Sequence, residues 1–450
     1  MPKNPPSLHR SMTLLQATAI NMIDMVGIGP FVTMPLVIGL MGNSYFIFAW
    51  IFGALVSLID AMIWAELGAA YPMAGGSYHF LKEAYKGYPT MGRLMPFLYI
   101  WQTSIQAPLV VASGAIGFAQ YFSYLLPINP FEQKMLSGAI VILLVILLYR
   151  KIETIGKIGV ALWCIVLGTI GVIIFGGFTH STTHYSPLPN GDFSFLFQGV
   201  FWMALGQASV KTIYSYLGYY NVCHLGGEIK NPQKNIPLSI FISVFGIAIL
   251  YLLMNYSIVQ VIPFEVAAKS QFLVSEFMEV IYGKTAGVVV TICILFIAFA
   301  SLFAVILGYS RVPYAAALDG NFFKAFAKLH PTKNFPHISL LVMGSFAFVF
   351  SLLFKLTDVI SAILAMRIAI QFIGQAVGVV LIRNRKNKAA MPFKMWLYPI
   401  PVVVAIVTWL FILFSTGWKF ALSGLILTLI GTVVFFSIKH KLGVRLLNNE

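Results

Sequence analysis

Charged residues are scarce in this 450-residue sequence: only 10% of positions are Asp, Glu, Lys or Arg, against roughly a quarter in ordinary globular chains. So little charge argues against a soluble protein of this size. Cysteine is scarce as well. Cys164, Cys223 and Cys293 show no disulfide or metal-ligand spacing and sit in or beside apolar stretches, where they read as small apolar residues. The sequence also lacks a catalytic constellation: there is no His-Glu-x-x-His and no paired Ser and His. The eight histidines are scattered, and the close pair His180 and His184 falls in a loop without another obvious ligand. We therefore expect no enzyme, no cofactor and no metal centre. Nor is there a linker or a signalling domain, since the longest polar segments, 179–192 and 318–335, are too short to fold alone. One membrane domain over 1–450 is the expectation, which disfavours a receptor.

What fills the sequence is apolar residue, 59% of the total. Runs of eighteen or more recur from end to end, each long enough to cross a hydrocarbon core of roughly 30 Å as a helix. We place about twelve spans, near 14–41, 46–70, 92–126, 135–150, 158–178, 194–226, 236–262, 285–312, 338–355, 359–383, 394–416 and 419–438. The runs are continuous rather than alternating, which excludes a barrel and leaves an all-α membrane protein.

A net charge of +15 raises the question of nucleic acid, and the distribution of cations answers it. On the twelve-span map 22 of the 29 Lys and Arg fall on one side, from Lys3 and Arg10 through Lys151, Arg311, Arg383, Lys386 and Lys388 to Arg445. Lys134, Lys269, Lys284, Lys355 and Lys419 face the other. This is the positive-inside pattern, so both termini are expected to be cytoplasmic, in a multi-pass protein of the cytoplasmic (inner) membrane with no nucleic-acid partner. The stretch from Met1 to Arg10 is polar and reads as no cleaved signal.

Two spans carry internal break signals. Span 1 contains Gly27-Ile28-Gly29-Pro30, and span 6, five helices later, contains Tyr216-Leu217-Gly218-Tyr219-Tyr220-Asn221. Pro30 removes an amide and clashes with the preceding turn, while the glycines make unwinding cheap. The bland alternative is close helix packing, since Gly and Pro are common in membrane helices. Unwound backbone at membrane depth persists only where it lines a cavity, and matching breaks in two halves point to a substrate site.

With these residues in view the sequence resembles the amino acid–polyamine–organocation family of transporters. Gly27 to Thr33 is similar to its glycine-rich span-1 motif. Ala65-Glu66-Leu67-Gly68 with Tyr71-Pro72-Met73-Ala74-Gly75-Gly76-Ser77-Tyr78 resembles the end of span 2. Glu228-Ile229-Lys230-Asn231-Pro232 resembles the exit from span 6, and Arg311, Tyr314, Asp319-Gly320 and 326–331 the loop after span 8. The resemblance implies a LeuT-type fold: two inverted five-helix repeats at about 11–180 and 192–385, plus two extra helices at about 392–440, working by alternating access. It also implies a bound α-amino acid. Amides of Gly27, Ile28 and Gly29 at the resumed helix would hold the carboxylate, in keeping with a helix N-terminus. Carbonyls near Met25, Tyr214, Ser215 and Leu217 would take the ammonium, with Tyr214 as an aromatic lid or simply a packed ring. A lysine midway along span 5, which substitutes for sodium in related carriers, is absent between Lys157 and Lys211.

Ionisable groups at bilayer depth are costly and mark function by default. Asp24, one turn before the first break, is read as an ammonium contact, a proton carrier or half of an ion pair with Lys211 or Arg367, with function favoured over structure. Asp60 has the same three readings. Glu66 and Glu228, near the basic face, are expected in gating or structural ion pairs, and Lys211 and Arg367 either close an outer gate or meet a substrate carboxylate. Gln102 and Gln106, four apart on one helix face, either line the cavity or bond between helices, and the second reading is preferred. The leading expectation is a proton-coupled amino acid transporter, with sodium coupling less favoured because span 8 offers only Ser301. The alternatives are a polyamine or organocation carrier and an amino acid exchanger.

Overall fold

The computed structural model describes residues 8–42, 45–150, 152–182, 185–187, 193–385 and 391–447, and among these it contains helices and no strand. Of the residues discussed above, Lys3, Lys151, His184, Lys386 and Lys388 lie outside the described ones. In chain order the helices are α1 (Leu14–Met25), α2 (Gly29–Met41), α3 (Phe46–Ala70), α4 (Ser77–Tyr85), α5 (Met91–Phe122), α6 (Pro130–Leu148), α7 (Ile152–Thr179), α8 (Gly199–Tyr216), α9 (Asn221–His224) and α10 (Pro232–Val259). Then come α11 (Phe264–Ala267), α12 (Leu273–Tyr282), α13 (Lys284–Tyr309), α14 (Arg311–Leu318), α15 (His337–Leu353), α16 (Leu356–Arg367), α17 (Gly374–Arg385), α18 (Ile400–Ser415) and α19 (Trp418–Leu447).

Local chemistry explains several starts. Thr13 and Gln16 form a reciprocal capping box at α1, and Asn129 and Glu132 do the same at α6, where Pro130 enters as the first helical residue. Each satisfies amides that a helix start leaves open.

Among the described residues eight helices are long and apolar enough to cross a membrane, and α1 with α2, bent by 43°, makes a ninth crossing. The shorter apolar helices α15 and α18 and the less apolar α8 complete the expected twelve. Outward faces of α6, α7 and α19 expose Ile146, Phe175 and Val433, which water would penalise and lipid accepts. The protein is an all-α membrane protein.

Three helices went unanticipated: α4, α11 and α12. They are short, and α4 is amphipathic, burying Tyr78, Leu81 and Tyr85 while Lys82 reaches outward, so a search for long apolar runs passes over them.

The basic loops share one end of the bundle. Met12 pairs with Ile229 and Ala74 with Leu225 through isolated bridges, Arg10 donates to the Pro72 carbonyl, Lys82 meets Asp319 at 2.7 Å, and Arg385 donates to the carbonyls of Glu83 and Ala84. Both halves of the chain thus contribute to the same surface.

Candidate functional site: a cavity at the crossing of two helix breaks

Both break signals are realised as breaks. α1 ends at Met25 and α2 resumes at Gly29, while α8 ends at Tyr216 and α9 starts at Asn221. Between them the chain is unwound, with Gly218 at φ +124°, a conformation that L side chains avoid. The two breaks also touch. A Cβ on Gly218 would lie 2.7 Å from the Met25 nitrogen and 2.9 Å from Asp24 Cγ, so only glycine lets the second break cross the first.

Polar side chains stitch this crossing together. Asn221 Nδ2 donates to Asp24 Oδ2 at 2.8 Å and to the Ala304 carbonyl at 2.8 Å. Asn21 Oδ1 accepts from the Val222 amide at 2.9 Å, capping α9 from α1. Thr33 and Ser215 hydroxyls meet at 2.9 Å, and Ser301 donates to the Asp24 carbonyl at 3.1 Å. The Met25 carbonyl, expected to be free for an ammonium group, accepts from the Tyr251 hydroxyl at 2.8 Å, which also donates to the Ser215 carbonyl at 3.2 Å. Its second lone pair is what is left for a ligand.

A cavity opens at the crossing of the two breaks. Asp24, Met25, Gly27, Ile28, Gly29, Tyr214, Ser215 and Leu217 all line it, so the substrate-contact residues anticipated from sequence converge. Gly29 begins α2, whose first-turn amides have no intrahelical acceptor. Tyr214 is held over the cavity by a 2.8 Å hydrogen bond with Ser113.

The residues anticipated for coupling and gating separate. Arg367 lines the cavity; its guanidinium donates to the hydroxyls of Tyr220 and Tyr309, and among the described residues no carboxylate lies within ion-pair distance. It ends α16, directly before a π-helical stretch at Ile368–Ile373, a distortion frequent at functional sites. Lys211 stays outside the cavity and donates to Ser361 at 3.4 Å. Asp60 is also outside it, accepting from Trp64 at 2.8 Å, Tyr219 at 2.5 Å and Trp409 at 3.1 Å, with no ion pair among the described residues. Neither Asp24 nor Asp60 forms an ion pair with Lys211 or Arg367, which removes that reading for both. Glu66 accepts a two-pronged bond from Arg383 at 2.6 Å and a third from the Met395 amide, and Glu228 accepts from Arg311 at 3.0 and 3.1 Å. Those two are buried ion pairs near the basic end. Gln106 faces the Tyr309 hydroxyl of α13, and Gln102 has no hydrogen-bond partner among the described residues. No group of three or more His, Cys, Asp or Glu able to hold a metal occurs among the described residues.

Tyr309 was not singled out from sequence, and Tyr220 and Asn221 entered only as part of the second break. Asn221 is the first residue after the second break, a position where a polar side chain was a signal available to be read. Tyr309 lies far along the chain, and nothing local marks it.

A helical membrane bundle with a central cavity formed by two broken helices is the architecture of a solute transporter. Comparison with known sequences gives the family: the profile described as Amino acid permease matches residues 12–435, so the chain belongs to the amino acid permease family. Its relatives include a Bacillus subtilis (strain 168) protein described as uncharacterized amino acid permease YecA, 27% identical and covering 77% of each chain. The serine/threonine exchanger SteT of the same organism is 24% identical over 96% of this chain and 98% of its own. The human cystine/glutamate transporter is 25% identical over 96% of this chain and 87% of its own.

Proposed function

We propose that this protein carries an α-amino acid across the cytoplasmic membrane by alternating access, with the substrate held at the crossing of the two breaks. The observation that carries this reading is the composition of the cavity wall: one carboxylate, Asp24, one guanidinium, Arg367, and the open amides of α2. A zwitterion brings one charge of each sign to match. Its ammonium would meet Asp24 and carbonyls near Met25 and Leu217, and its carboxylate the amides of Ile28 and Gly29. Arg367 disfavours a polyamine, whose charges all share its sign. The names of the serine/threonine exchanger and the cystine/glutamate transporter support an amino acid and leave the side chain open.

The fold reading is two inverted five-helix repeats, about 11–180 and 192–385, with α18 and α19 as the extra pair. The basic end, with both termini, faces the cytoplasm. Protons are the proposed coupling ion, with Asp24 as the group best placed to load and release one beside the substrate.

Uptake of labelled amino acids and putrescine into proteoliposomes under an imposed pH gradient tests this reading. Gradient-driven accumulation of an amino acid, abolished by a proton uncoupler, is the expected result. Uptake that needs sodium and ignores the uncoupler overturns proton coupling, and putrescine uptake without amino acid uptake overturns the substrate class. Strict dependence on internal amino acid would identify exchange.

A further inference from the structure

Directly beyond Arg367, away from the cavity and toward α4, lies a second polar region that the proposed substrate contacts do not use. α5 presents Tyr99, Gln102, Thr103 and Gln106, at spacings of three and four residues and so on one helix face. Across from it the α16–α17 run presents Gln371 and Gln375, one and two turns past Arg367. These side chains are at most 3% exposed. Both polar ends of Gln102, Gln106 and Gln371, the Arg367 Nε and the Gln375 Oε1 lack a hydrogen-bond partner among the described residues. Gln106 looks toward the Tyr309 hydroxyl, Tyr99 faces Ser77 and Thr103, and Gln375 donates to Ser77 at 3.2 Å. The polar strip therefore runs from Arg367 to the first residue of α4, about 10 Å along α5 at 1.5 Å per residue.

Buried amides do not persist without partners, because each open donor or acceptor costs a full desolvation penalty. A monovalent cation is a poor fit, since the strip offers no carboxylate and Arg367 stands at its head. Water fits, because the strip holds both open donors and open acceptors, which a water molecule can serve together.

We propose that this strip is a hydrated chamber and the first stage of the route by which substrate leaves toward the α4 end of the bundle. The proposal rests on the transport reading above. α4 seals the chamber. Its Tyr85 hydroxyl donates to the Gly374 carbonyl at 3.0 Å, Ala84 packs where a Cβ on Gly378 would be only 2.8 Å away, and Leu81 lies against Gly374. Lys82 with Asp319, and Arg385 with the carbonyls of Glu83 and Ala84, clamp the outside of the same helix. α4 is thus a lid with an apolar underside, closed on glycines that allow its approach.

Cysteine accessibility in vesicles of known orientation tests the chamber, with the wild-type protein and its three native cysteines as background. Gln102→Cys, Gln371→Cys and the near-isosteric Thr103→Cys are treated with a membrane-impermeant methanethiosulfonate from each side, and Ser301→Cys reports the substrate cavity. The expected result is labelling of the three chamber positions from the α4 side, accelerated about fivefold by Tyr85→Phe, which removes one hydrogen bond from the seal. Labelling of Ser301→Cys alone, or of the chamber positions only from the opposite side, overturns the chamber and leaves the cavity reading intact. Chamber labelling in a protein that transports no amino acid keeps the hydrated route and overturns the transport reading instead.

Discussion

The molecule buries two aspartates in its membrane domain, and their surroundings differ. Asp60 accepts from three donors: two indole N–H groups and a phenol converge on it from α3, from α18 and from the linker between α8 and α9. Asp24 keeps a single side-chain donor, Asn221, and turns toward a cavity that also holds Arg367. A carboxylate held by three rigid donors fastens helices together. One with a single side-chain donor that faces a cavity has more capacity left for a ligand or a proton. From sequence both carry the same three readings, with function favoured for Asp24; what separates their surroundings lies in partners as distant as Trp409.

The largest effect that separates them is expected in transport. Asp24→Asn keeps the shape and removes the charge, and losing one member of a buried charge-assisted contact is worth about 100-fold or more in substrate affinity. Initial uptake rates and direct binding measure this, with thermal stability near wild type as the control. A variant that still binds normally would reduce Asp24 to the same fastening role as Asp60.

Asp60→Asn is expected to do the reverse. The amide cannot accept from all three donors, so stability falls by about 1.5–3 kcal/mol, the value of a hydrogen bond to a charged group, while the substrate KM stays unchanged. A detergent thermal melt beside uptake kinetics reads both quantities. An unchanged melting temperature with a lost proton gradient response would move Asp60 from fastening to coupling.

The smallest effect is expected at the lid of the cavity. Tyr214→Phe removes its hydrogen bond with Ser113 and keeps the ring, so affinity should weaken about fivefold. A loss as large as that of Asp24→Asn, measured in the same uptake assay, would mean that the hydroxyl itself holds substrate.

The breaks were legible in the sequence because glycine and proline act on the backbone directly: Gly27, Gly29, Pro30 and Gly218 carry their meaning without a neighbour. Span limits were legible for the same local reason, through hydropathy, and 14–41 and 46–70 coincide with the limits of α1–α2 and α3. What depends on distant partners was not legible. Lys211 and Arg367 looked equivalent, yet one bonds Ser361 outside the cavity and the other lines it between two tyrosines. Gln102 and Gln106 shared a face as spacing required, and what lies across from them, such as Tyr309 before Gln106, was beyond any single-chain pattern.

The central claim is that the crossing of the two breaks binds a zwitterion through Asp24. Thermal-shift screening of the purified protein against amino acids and amines tests it most directly, because a ligand of the folded state raises its stability by mass action. The account predicts that at least one α-amino acid raises the melting temperature of the wild-type protein and has no such effect on Asp24→Asn. Stabilisation by amines alone, or an equal shift in wild type and variant, would contradict it.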